Sequence, residues 1–286
     1  MKKIAIFGGT FNPVHVEHVN TALAAITELG LDKIIIVPTF LPPHKNVAPA
    51  DGADRINMLK IAFRGVTQAE ISDYEIKNGG KSYSYLTAEH FRAQYPDAEL
   101  YMLIGGDMLL DFKTWKNPDR ILSAVRLAVV RREDYSADFT AEHEYFKKTF
   151  GKGFTVLNYV GKTVSSTEIR TYLAFNLKPD GLFDGVYDYI VKNGVYPPDK
   201  YQQYILKALP EKRVIHTANV VVTAMKKAKE LNLDYEKVRI SATLHDCAKY
   251  DNPDRYGDFT LPADVPPPVV HAFLGAFVAE KVLGVT

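Results

Sequence analysis

Apolar positions in the first two-thirds of the chain follow two alternating patterns. Short unbroken runs rich in Ile, Val and Leu recur at Lys3–Phe7, Lys33–Val37, Leu100–Ile104, Leu127–Val130 and Phe154–Leu157. Runs that brief, without polar alternation, predict strands buried on both faces. Between them, helical patterns cover His18–Leu29, Ala53–Phe63, Ser84–Gln94 and Pro118–Ala124. Strand and helix in alternation predict an α/β domain built on a doubly wound parallel sheet. Ligands of such sheets bind beyond the carboxyl ends of the strands, where the strand order reverses. The pattern changes at Asn193-Gly-Val-Tyr-Pro-Pro-Asp199, where two prolines mark a boundary. Beyond it the alternation stops, and helical patterns run over Lys200–Ala208, Lys212–Leu231, Tyr235–Asp246 and, after the break at Pro262–Pro268, Val270–Leu283. Two domains are expected, residues 1–197 and an all-α segment 198–286.

Composition narrows the classes of function. Hydrophobic content of 47% and charged content of 24% in 286 residues are those of a soluble globular protein. A net charge of +1 creates no basic field, so general nucleic-acid binding is not expected. One cysteine, Cys247, precludes an intrachain disulfide and suits a reducing compartment. The opening Lys2-Lys3 is followed by an apolar run that stops at Gly8, too short for a signal peptide, and no segment approaches the length of a membrane helix. A cytoplasmic protein with no membrane partner is expected, and self-association into a homo-oligomer is left open.

Chemistry concentrates at Ile4-Ala-Ile-Phe-Gly-Gly-Thr-Phe-Asn-Pro-Val-His-Val-Glu-His18. A strand leads into Gly8 and Gly9, which permit a tight turn and close approach of a ligand. Thr10 or Asn12 then caps a helix, with Pro13 in its first turn. Free amides and the helix dipole make such a start an anion site. His15 and His18, three residues apart, share one face of a helical turn and can donate to phosphate oxygens. Four further clusters fall where strand ends and loops belong: Pro42-Pro43-His44-Lys45; Ser82-Tyr-Ser-Tyr-Leu-Thr87; Ile104-Gly105-Gly106-Asp107 with Trp115 beyond; and Ser165-Ser166-Thr167-Glu168-Ile169-Arg170. Alone, the first is as readily a rigid turn, and the others read more often as helix caps or a core aromatic.

In this order the five clusters resemble the bacterial nicotinate-mononucleotide adenylyltransferases, of the nucleotidylyltransferase superfamily, over roughly residues 1–197. The resemblance implies a Rossmann-like fold and adenylyl transfer from ATP to nicotinate mononucleotide, with Mg2+ accompanying ATP. Gly8, Gly9, Thr10, Phe11, Gly106, Asp107, Ser166 and Thr167 would bind ATP. Thr87, Asp107, Trp115 and Lys45 would bind the mononucleotide, and His15, His18, Lys45 and Arg170 would stabilise the reacting phosphates. Two positions depart from the superfamily signature: Asn12 stands for Asp, and Glu17 stands for Gly. A carboxylate at 17 is expected to crowd ATP or repel its phosphates, and a nucleotide-binding module without catalysis is the alternative it raises.

The helical segment carries Arg213-Val-Ile-His216, Leu244-His245-Asp246-Cys-Ala-Lys249 and Val270-His271. Imidazole and carboxylate groups on packed helices can hold divalent metals that activate water. These residues resemble HD-domain phosphohydrolases, most nearly the type that splits diadenosine tetraphosphate symmetrically. The resemblance implies a metal such as Fe or Mn on His216, His245, Asp246 and His271, and makes a metal-dependent phosphohydrolase the second alternative. That family continues with two more helices bearing another His and an Asp, so a partial domain with weak hydrolase activity is expected.

Overall fold

A computed structural model of the chain describes residues 1–42, 50–133 and 138–285. The chain divides into two compact units, Met1–Ser166 with Gly181–Val195, and Thr167–Asp180 with Tyr196–Thr286.

The first unit is an α/β sheet structure with the elements β1 (Lys3–Gly9), α1 (Val16–Leu29), β2 (Lys33–Pro38), α2 (Gly52–Ala62), β3 (Ala69–Ile71), α3 (Tyr74–Asn78), α4 (Ser84–Gln94), β4 (Glu99–Gly105), α5 (Gly106–Leu110), α6 (Pro118–Ala124), β5 (Arg126–Arg132), α7 (Thr140–Phe150) and β6 (Phe154–Gly161). All pairings are parallel, and the strand order is β3-β2-β1-β4-β5-β6. The chain winds one way from β1 and the other way from β4, so the reversal lies between these two neighbours. The glycine turns after β1 and β4 leave the sheet at that switch point, where parallel sheets hold ligands. Ile4, Ile6, Ile35, Val37, Met102, Ile104, Leu127 and Val129 lose their exposure between the helical layers, together with Phe91, Phe112 and Phe146. Truncating a ring such as Phe112 to Ala would cost about 3–5 kcal/mol.

The doubly wound sheet matches the expected fold, and two local differences have physical causes. Strand β3 is three half-buried residues at the sheet edge and leaves no apolar run to detect. Helix α1 begins at Val16, with His15 as its cap, because the backbone of His15 is extended and Phe11 before it has positive φ.

The second unit contains α8, which spans Ser166–Ala174 and so starts at the unit boundary, and after α9 (Asp184–Asn193, in the first unit) it resumes with α10 (Lys200–Ala208), α11 (Glu211–Glu230), α12 (Tyr235–Leu244) and α13 (Val270–Phe277). On α11, Val214, Ala218, Val221 and Met225 form a buried stripe at helical spacing, packed with Phe175, Ile205, Leu244, Cys247 and Leu274. Asp199 caps α10 through a reciprocal bond with Gln202. The helix expected over Tyr235–Asp246 ends at Leu244, so His245 and Asp246 sit in the turn that follows it.

Candidate active site of the first unit and metal cluster of the second

The turn after β1 is held from below by a buried cation. Arg55 of α2 is 1% exposed and donates to the carbonyls of Thr10 (3.0 Å), Thr39 (2.6 Å) and Ala50 (2.8 Å). It ties the glycine turn, the end of β2 and the start of α2 together. A Cβ at Gly9 would stand 2.9 Å from the Phe11 ring, which explains the glycine by close packing. Asn12 caps no helix; its side-chain oxygen accepts from the Ala50 amide at 3.1 Å.

His15 and His18 lie together, ring centroids 3.7 Å apart. The backbone N–H of His15 donates to Nδ1 of His18 at 3.1 Å. Neutral His18 therefore carries its proton on Nε2, as a donor. Burial lowers the pKa of His15 to about 4, the Glu17 carboxylate opposing and the Arg132 charge adding to the effect. His18 is held well below its usual value by burial, then by His15 and Arg132. Both rings are uncharged N–H donors at neutral pH. Arg132, at the carboxyl end of β5, brings positive charge to this pair and was not among the residues singled out from sequence. Its only sequence signal is a basic residue closing an apolar strand. The amides of His15 and Val16 are engaged, the latter with the Gly181 carbonyl at 2.9 Å, so the anion site relies on side-chain donors more than on those amides.

Glu17 does not behave as expected for a group crowding the nucleotide. Its carboxylate is buried and accepts from Tyr159 Oη (2.8 Å), the Lys162 amide (2.9 Å) and Asn20 Nδ2 (2.9 Å). Burial pushes its pKa up, but these hydrogen bonds outweigh burial and keep it below the usual carboxylate range.

The remaining residues of the expected site are distributed as follows. Ser82 takes the Phe40 amide on its hydroxyl, and Lys116 sits 4.4 Å over the Tyr83 ring. These contacts bring the end of β2, the 82–87 cluster and the Trp115 segment to one side of the site. Trp115 is partly buried and packs on Phe112 at 5.2 Å, leaving ring surface accessible. Asp107 is exposed in the first turn of α5, folded over Gly105, where an added Cβ would clash with its carboxylate. Thr87 is 3% exposed, and its proton goes to Glu75 at 2.5 Å rather than toward solvent. The hydroxyl expected to bind the mononucleotide thus meets a carboxylate of α3 inside the fold. Ser166 donates to the Pro13 carbonyl at 3.0 Å and so closes on the histidine-bearing turn. Thr167 and Arg170 belong to the second unit, where Arg170 donates to Thr167 Oγ1 at 3.2 Å and burial lowers its pKa. Lys45 lies outside the described residues.

In the second unit, His216, His245 and Asp246 place one donor atom each within 4.8 Å of one another. The two imidazole Nε2 atoms are 3.3 Å apart. With metal–nitrogen bonds of about 2.1 Å, neighbouring ligand atoms are separated by roughly 3.0–3.4 Å, so the spacing fits a shared ion. Nδ1 of His245 contacts the Ala242 carbonyl at 2.8 Å, which leaves its Nε2 lone pair for a metal. His271 falls outside that three-residue group; its Nε2 is 3.3 Å from Asp246 and 3.1 Å from Lys249 Nζ. Arg213, at 3.4 Å, and Lys249, at 3.7 Å, also face the Asp246 carboxylate.

Two family profiles match successive parts of the chain. Residues 6–172 match the profile of the cytidylyltransferase-like family, and residues 213–286 match the HD domain. A Clostridium tetani protein named "Probable nicotinate-nucleotide adenylyltransferase" is 41% identical over 200 residues, 68% of this chain and 100% of the relative. The chain belongs to the nicotinate-nucleotide adenylyltransferase family. A family member from Neisseria meningitidis serogroup B is 37% identical over 199 residues, 68% of this chain and 99% of its own. The structure of Plasmodium falciparum nicotinic acid mononucleotide adenylyltransferase complexed with NaAD aligns with a TM-score of 0.54 at 20% identity, over 68% of this chain and 98% of that one, and shares the fold. The HD match lies within the second unit. Among the described residues no helix is long and apolar enough to cross a membrane.

Proposed function

We propose that the chain transfers the adenylyl group of ATP to nicotinate mononucleotide, releasing pyrophosphate and forming nicotinate adenine dinucleotide. The observation that carries this reading is the neutral pair His15 and His18, with Arg132 beside it, at the switch point of a family member's sheet. A phosphate oxygen of the mononucleotide attacks the α-phosphorus of ATP in line, and the bond to the β-phosphate oxygen breaks. Such chemistry depends on positioning and charge stabilisation more than on covalent help. His18 Nε2–H donates to the oxygens that gain charge, and His15 and Arg132 flank it. No general base is needed, because the attacking phosphate is already ionised. Mg2+ enters as part of the ATP substrate. The resemblance to the adenylyltransferases assigns ATP to Gly8, Gly9, Thr10, Phe11, Gly106, Asp107, Ser166 and Thr167, and phosphate charge to Lys45 and Arg170. Trp115 stacks on the pyridine ring, with Asp107 taking ribose hydroxyls; Thr87 supports this region through Glu75. Pyrophosphate release with ATP and Mg2+ tests the proposal, with nicotinate mononucleotide, nicotinamide mononucleotide and phosphopantetheine as rival acceptors. Turnover with the first alone is expected; release with none of the three would overturn the reading.

The close spacing of His216, His245 and Asp246 favours a second activity in the helical unit. A divalent metal such as Fe or Mn, when bound there, supplies an activated water for phosphoester hydrolysis. Arg213 and Lys249 would then hold the charge of a phosphate chain such as that of diadenosine tetraphosphate. Metal analysis and a cleavage assay with that dinucleotide test it: protein that binds no metal and cleaves nothing removes the activity.

A further inference from the structure

Glu17 occupies the second position of α1, between the two histidines in sequence, and its side chain reaches the β6 edge of the sheet. Oε2 accepts at once from the Tyr159 hydroxyl and from the Lys162 amide, while Oε1 accepts from Asn20. One donor is thus local to α1, and the other two come from the end of β6 and the residue after it. About three turns further along the same helix, Glu28 accepts from the Asn158 amide at 2.6 Å and the Tyr159 amide at 2.9 Å. Asn158 and Tyr159 lie where the register of β6 against β5 breaks, between Val156 and Val160. Glu28 takes both amides there, and Glu17 takes the amide just past the strand.

The position of the upper contact matters. Lys162 opens the short segment that runs to Ser166, and Ser166 in turn bonds the Pro13 carbonyl on the histidine-bearing turn. The segment is therefore pinned to the start of α1 at both ends, by Glu17 at one and Ser166 at the other. A buried carboxylate is costly unless well supplied with donors, and this one has three. The phenol of Tyr159 shows the same contact from its side: burial and the Glu17 carboxylate push it up to about 12.

We infer that Glu17 is a positioning residue, a charged strut that sets the β6–α8 segment, with its Ser165-Ser166 pair, at a fixed distance from His15 and His18. The carboxylate acts through the backbone it holds and touches no reacting atom. The strut itself stands on the geometry alone; its catalytic consequence rests on the adenylyl-transfer reading.

The experiment compares wild type with Glu17→Gln, Glu17→Gly and Tyr159→Phe. Hydrogen exchange over residues 159–166 reads the strut directly and requires no turnover. Protection of this segment is expected to drop sharply in Glu17→Gly and partly in Glu17→Gln, which retains one acceptor oxygen, while the rest of the sheet keeps its exchange rates. Unchanged protection in Glu17→Gly would overturn the inference, as would a loss spread evenly over the whole unit. Steady-state assays then read the consequence: kcat is expected to fall about ten- to hundred-fold in Glu17→Gly with KM for ATP changed less than about three-fold, as for misplaced catalytic groups. Glu17→Gln and Tyr159→Phe are expected to act non-additively, as two parts of one contact. A large change in KM for ATP at constant kcat would instead make Glu17 a determinant of nucleotide binding and refute the positioning role. If wild type turns over none of the acceptors, the adenylyl-transfer reading fails, while the exchange data still decide the strut.

Discussion

Acidification should loosen the first unit through His15. Unfolded, its imidazole takes a proton near 6.5; folded, burial delays protonation to about 4. Between those values the unfolded chain binds more protons, so stability falls as pH falls through this window and is flat above about 7. The full difference of roughly 2.5 units corresponds to about 3 kcal/mol, of which about 2 kcal/mol is lost by pH 5. His18 shifts in the same direction and adds to the loss. The chain's single tryptophan, Trp115, lies in the first unit and reports its unfolding separately from the helical unit. Urea unfolding followed by Trp115 fluorescence at pH 7.5 and pH 5.0, in wild type and His15→Gln, isolates the term. Glutamine is polar and does not titrate, so the drop between the two pH values should be smaller in the variant by about 2 kcal/mol. Equal drops would refute the assignment of a buried neutral imidazole at 15.

Three other outcomes follow from the same geometry. His18→Asn should lower kcat by about 10²–10³-fold with a smaller change in KM, since removal of one aimed donor costs that much in sites stabilising developing charge; steady-state kinetics would show it. ATP binding near pH 5.5 should be accompanied by proton uptake, because phosphate charge raises the depressed pKa values of His15 and His18; calorimetric titration in two buffers of different ionisation enthalpy measures the number taken up, and zero uptake would contradict the phosphate placement. His245→Ala should abolish stoichiometric divalent-metal binding, measured by elemental analysis after dialysis, while adenylyl transfer keeps its wild-type rate, because none of His216, His245 and Asp246 belongs to the adenylyl-transfer site.

Much of this protein is written in local pattern. The strands of the sheet interior appear as unbroken Ile, Val and Leu runs because both faces are covered by helices, and the α11 stripe appears because its core face repeats at helical spacing. The pairs His15 with His18 and His245 with Asp246 stand out in the sequence because motif spacing survives in the chain itself, and the structure brings each pair together. Edge strand β3 was not, since three half-buried residues carry no burial signal. The roles of Glu17, Thr87 and Arg132 were also hidden, for one reason: each depends on a partner far away in sequence. Glu17 looked like a charge beside the nucleotide until Tyr159 of β6 and Lys162, the residue after that strand, supplied donors, and the contact of Thr87 with Glu75 of α3 appears only in the fold. The chain's own order of residues determines which groups are present and which strands and helices they ride on. Tertiary structure decides which donor meets which acceptor, because burial removes water as the alternative partner and makes those pairings obligatory.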